Sequence, residues 1–290
     1  MRINWNRARA IFDYPKPPTE VWEQQFDHND NELRRIAATH WEEFDFEDLW
    51  YYHHDLAFVE LQPDLFNYLF PICLMDWHLT LQNNQACQHG DSEFHLGVHR
   101  GKVFDRMLSP TQRQQVYEFF RDSFLDRLEQ ERGFVSRTSY GLMARFNSVG
   151  LIMPHISLLW DSWWSMESAG QAVAALEYCS GLMYFHGEHP FFDVRHGEEH
   201  HGSPYLWNND SGIYDAGWLP QNIEFLKNVL TVDFVNTKVD AAIERLRDEP
   251  EFSRAAPMRN QLAERQELIA SRVEELPTHL AESANDGWLL

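Results

Sequence analysis

The segment SPTQRQQVYEFFRDSFLDRL, residues 109–128, admits one regular structure. Ser109 and Gln112 stand three residues apart, as the partners of a capping box do. Pro110 takes the first helical position, where a missing N–H costs nothing. Val116, Phe119, Phe120, Phe124 and Leu128 then recur at helical spacing and line one apolar face, with Gly133 as the stop. A face this aromatic must be buried, so the chain needs other elements to cover it. The sequence offers more helices for that purpose.

QPDLFNYLFPICLMDWHLTL, residues 62–81, sets Leu65, Phe66, Leu69, Cys73 and Trp77 on one stripe. Pro63 suits its first turn, and Pro71 is expected to kink it. Thr19 is expected to cap a short helix bearing Val21, Trp22 and Phe26, and residues 31–40 suggest another. Residues 41–60 are acidic and aromatic without clean periodicity, and 134–159 are ambiguous around Pro154. Residues 83–108 read as a loop. Asp161 is expected to start a helix to about Phe185, burying Trp164, Val173, Leu176, Cys179 and Met183. Pro220 opens a long helix with Ile223, Leu226, Leu230, Ile243 and Leu246, ended by Pro250. A last helix, about 257–276, carries the narrow stripe Met258, Leu262, Ile269, Val273 and Leu276, the width of one partner helix. The expected fold is mainly α: one irregular multi-helix domain over residues 1–290 with long aromatic and histidine-rich loops. Residues 219–276 would form a C-terminal helical hairpin.

With 290 residues, 43% of them apolar, the core needs no staple. Cys73, Cys87 and Cys179 are odd in number and widely spaced, which opposes a disulfide framework or a cysteine zinc site. No apolar h-region opens the chain and no stretch nears the ~20 apolar residues of a membrane span. A soluble, cytoplasmic protein is expected. Twenty-four basic residues face 45 acidic ones, a net charge of −21. That sign opposes nucleic acid and anionic membrane and favours a basic protein or a metal ion. Acidity also serves solubility alone.

Residues 61–128, through LQPDLFNYLFPICL and LSPTQRQQVYEFF, resemble an uncharacterised bacterial family known only as a domain of unknown function. The likeness pairs a proline-opened F-x-Y-L helix with a later helix opened by L-[ST]-x-x-Q. It implies architecture and no reaction.

Fifteen histidines are unevenly spread. His186, His189, His196, His200 and His201 fall within sixteen residues, and His89, His95 and His99 form a second group. Carboxylates Asp91, Glu93, Glu188 and Asp193 lie near them in sequence. Neutral imidazoles and carboxylates are the ligands that zinc or another divalent metal takes, and two such segments could converge on one ion. His196, Glu199 and His200 match H-x-x-E-H, the inverted-zincin signature. Carried over, the two histidines bind zinc and Glu199 is the general base. That motif works on a helix, however, and here Pro190, Gly197, Gly202 and Pro204 leave little room for one. Phe191, Phe192, Tyr205, Trp207 and Tyr214 imply that the long segment packs down and offers an aromatic binding surface. His53, His54 and Asp55 are adjacent, so they point apart, and the tryptophans at 160, 163 and 164 read as core. No nucleophile elbow, G-x-G-x-x-G or Walker loop is present. The leading expectation is an acidic binding protein for a basic partner, without catalysis. The alternative is a metal-dependent hydrolase using His186, His189, His196 and His200 with Glu199.

Overall fold

The computed structural model describes residues 3–21, 30–83, 89–134, 146, 149–185, 188, 190–191 and 218–282. These residues form helices and turns and, among them, no strand, so the chain is mainly α. It divides into two compact units, residues 1–123 and 124–290.

The first unit holds α1 (Trp5–Ala10), α2 (Asp30–Ala38), α3 (Leu49–Phe58), α4 (Pro63–Gln82), α5 (His89–Arg100), α6 (Val103–Arg106) and most of α7 (Pro110–Glu129). At its centre is α4, which buries the expected stripe and also Phe70, Leu74 and Leu81 on its other sides. A helix apolar all round belongs inside a core. Phe12, just past α1, meets Phe66 and Phe70 edge-on, and Trp77 meets Phe120 of α7 at 4.8 Å. The capping box of α7 is present: the Gln112 N–H donates to Ser109 Oγ at 3.3 Å, and the Ser109 N–H to Gln112 Oε1 at 3.0 Å.

The expected loop over 83–108 is corrected by the structure, in which α5 and α6 occupy residues 89–100 and 103–106. Gly97 lies in α5 and Gly101 just past its end. They are contact points: a Cβ at Gly97 would overlap the His53 carbonyl oxygen, and one at Gly101 the Leu56 carbonyl oxygen. Two glycines one turn apart let α3 and α5 pack backbone to backbone. The proposed helix at Val21–Phe26 lies outside the described residues, except that 19–21 are not helical.

The second unit holds the last turn of α7, α8 (Ser157–Trp164), α9 (Ala169–Met183), α10 (Pro220–Val229), α11 (Val232–Arg245), α12 (Phe252–Gln261) and α13 (Gln266–Glu282). A 3-10 turn, Leu262–Arg265, joins α12 to α13. Every residue of α9 is buried. Its small residues permit this; Gly170, for instance, lies against the Leu128 and Glu129 carbonyls, where a Cβ would overlap. Around α9 pack Trp160, Trp163 and Trp164, each edge-on to Tyr178 at 5.4–5.9 Å. Helix α13 packs on α10, α9 and α11.

Three expected helices are corrected. The one read over 161–185 is two, because Ser168 and Gln171 make a second capping box after Met166, whose φ is 52°. The one opened by Pro220 breaks after Val229, where Thr231 Oγ1 accepts from the Phe234 N–H and starts α11. The last begins at Phe252, ahead of Pro257, which sits inside α12. No helix among the described residues is long and apolar enough to cross a membrane.

Candidate functional site

Between α2 and α3 the chain reads WEEFDFED, residues 41–48, and this segment has no helical periodicity because it is two 3-10 turns. Each is capped from its own sequence: His40 Nδ1 and Asp45 Oδ1 accept from backbone N–H groups two residues on. The result sorts the side chains. Trp41, Phe44 and Phe46 are half-buried, while Glu42, Glu43, Asp45 and Glu47 are exposed. Trp5 of α1 lies 5.1 Å from Trp41 and stacks on Phe46 at 6.1 Å. The Arg9 guanidinium sits over the Trp41 ring at 4.5 Å, so this aromatic surface already holds one cation.

The charges of the strip are largely uncompensated. Asp48 is held by Arg35 through two bonds of 2.6 and 2.8 Å, and that carboxylate pair pushes the guanidinium further into its charged form. Glu42 lies 3.7 Å from His40. Glu43, Asp45 and Glu47 have no cationic partner among the described residues.

The site residues taken from the sequence fall mostly elsewhere. His186, His189, His196, Glu199, His200, Phe192, Tyr205 and Trp207 lie outside the described residues. Phe191 is fully buried and stacks on Phe134 at 3.8 Å, with the planes 7° apart. Glu188 accepts from Arg265 at 2.9 Å. In the second histidine group, the His89 side chain is also outside the description, and His95 is 2% exposed. The Trp77 Nε1–H donates to His95 Nε2 at 2.7 Å. The neutral ring therefore carries its proton on Nδ1, and no lone pair remains for a metal. Burial lowers the pKa of His99 and takes that of His53 down to about 3. Among the described residues no three His, Cys, Asp or Glu side chains are grouped to hold an ion.

Sequence reasoning missed the 41–48 strip as a site because it looked for periodicity. The available signal was four exposed acids interleaved with three large aromatics, a pattern that helical packing does not require. No family model, curated protein or solved structure matches the chain.

Proposed function

We propose that this chain is a binding protein whose acidic surface takes a basic segment of a protein partner, and that the 41–48 strip is where it does so. The observation that carries the reading is the juxtaposition of Glu43, Asp45 and Glu47, exposed and without a cationic partner among the described residues, with half-buried Trp41, Phe44 and Phe46. Carboxylates draw a basic chain by long-range attraction, and indole and phenyl faces hold its guanidinium or ammonium groups at contact. The net charge of −21 adds steering at low ionic strength.

Fluorescence anisotropy of a labelled arginine- and lysine-rich peptide against the whole protein tests this. Binding is expected to weaken as salt rises and to be lost on reversal of Glu43, Asp45 and Glu47 to Lys. The control reverses three exposed acids of the second unit, Asp248, Glu264 and Glu267. Equal loss in both variants would mean that only net charge counts, and the strip would no longer be a site.

A further inference from the structure

Helix α1 presents Trp5 and Arg9 to the acidic strip, and Asn6, Arg7 and Ala10 to a groove shared with α7. The groove has a volume of about 640 Å³ and belongs wholly to the first unit. Its chemistry differs from the rest of this acidic chain. Arg7 and Arg121 both hold Asp122, at 2.8 Å each, so one carboxylate is shared by two guanidiniums. With Glu118, the other acid of the lining, the formal charges cancel. Asn6 and Gln115 add amides that make no hydrogen bond among the described residues.

Tyr14 stands at the rim, 53% exposed. It and Asp13 have φ of 53° and 55°, two consecutive left-handed residues where a helix end ordinarily takes glycine. Such conformations cost of order 1–3 kcal/mol each and persist where something is gained. This turn closes α1, with the Asp13 N–H donating to the Ala10 carbonyl at 3.3 Å and the Tyr14 N–H to the Arg9 carbonyl at 3.0 Å, and it leaves the Tyr14 ring at the surface. Arg9 lies over the Tyr14 ring at 5.6 Å as well as over Trp41, so the phenol has a fixed cationic backing while the residue stays exposed.

We propose that the groove is a binding site for an uncharged polyhydroxylated ligand, a neutral saccharide, with Tyr14 as the stacking platform. An anion would meet Asp122 and Glu118, and a cation would meet Arg7 and Arg121. An apolar molecule would cover Ala10, Ile11 and the Tyr14 ring but would leave the charged and amide groups of the lining desolvated and without partners. Hydroxyl groups both donate and accept, and so match a lining that mixes amides, guanidiniums and carboxylates. The C–H face of a sugar ring supplies apolar surface that an exposed aromatic ring can cover. This site goes beyond the acidic strip and does not depend on it.

Saturation-transfer NMR on the whole protein, with cellotetraose, maltotetraose and chitotetraose as separate probes, tests the proposal. Transfer to ring C–H protons of at least one probe is expected. Affinity should fall about tenfold or more in Tyr14→Gly, the equivalent of one lost stacking contact, and survive in Tyr14→Phe. Glycine relieves the left-handed strain, so Tyr14→Gly should melt no lower than the parent, which separates recognition from folding. Asn6→Ala with Gln115→Ala removes groups that bond to nothing else among the described residues, and should lose binding with the melting temperature unchanged. That double variant decides alone should Tyr14→Gly not fold. No transfer from any of the three probes, or transfer undiminished in these variants, overturns the site.

Discussion

Asn222 is 1% exposed and accepts from the Ile156 N–H at 3.2 Å while donating to the Gly150 and Met153 carbonyls at 2.9 and 2.8 Å. One amide thus satisfies three backbone groups of a segment about seventy residues away, between a helical turn and the start of α8. Each would otherwise be buried without a partner, at about 1–3 kcal/mol apiece. Asn222→Leu, which matches the volume and keeps none of the bonds, is expected to cost about 3 kcal/mol or more. Urea denaturation measures this as a fall in midpoint; a change within about 0.5 kcal/mol would deny the residue its role. Nothing in PQNIEF marks this asparagine, which reads as an ordinary first-turn residue. Polar residues that serve distant backbone are legible only once the backbone is in place. The same holds for Glu251, whose Oε1 accepts from the N–H of Gly133 at 2.9 Å, where φ is 64°.

At the scale of the element, α3 and α5 show how a local rule can mislead. In an exposed helix Gly97→Ala would stabilise by about 1 kcal/mol. Here the added methyl meets the His53 carbonyl oxygen and, at 3.1 Å, Leu56 Cβ. Forcing two backbones apart costs about 1–3 kcal/mol or more, so the sign reverses. Gly97→Ala is therefore expected to lower the melting temperature of the first unit, and a rise would show that the helices separate freely. Helices whose signal is their own were legible: α4 and α7 appear as their stripes and proline starts require. Elements whose signal belongs to a neighbour were not. Gly97 and Gly101 make sense as part of a helix end only once α3 lies across them. The Ser168–Gln171 box, by contrast, was present in SAGQ and was overridden by the apolar run around it. The strip at 41–48 was legible as composition and illegible as structure, since its 3-10 turns have no period to detect.

For the whole molecule, acid acts on histidines buried in the first unit. The first buries His53 and His78, 1% and 8% exposed, against Phe94 and Phe119. Neither nitrogen of His53 has a hydrogen-bond partner among the described residues. Burial lowers their pKa values from 6.5 to about 3 and about 4. Both rings are thus neutral when folded and bind a proton more readily when unfolded. Stability from this source is complete above pH 6.5 and is lost as pH falls toward 4 and then 3. Each histidine contributes up to about 1.4 kcal/mol per pH unit, so the two together cost the first unit about 3 kcal/mol by pH 5. The acidic chain gains in return when its carboxylates protonate and self-repulsion falls, but ordinary carboxylates titrate near 4, below that window. The histidine effect therefore wins between pH 6.5 and 5. In the second unit no buried histidine occurs among the described residues. Hydrogen exchange, corrected for intrinsic rates, should show protection of α3, α4 and α5 falling roughly a hundredfold from pH 7 to 5. Helices α9 and α11 should keep theirs. His53→Leu with His78→Leu should flatten the difference, and equal acid sensitivity in both units would place its origin in net charge instead.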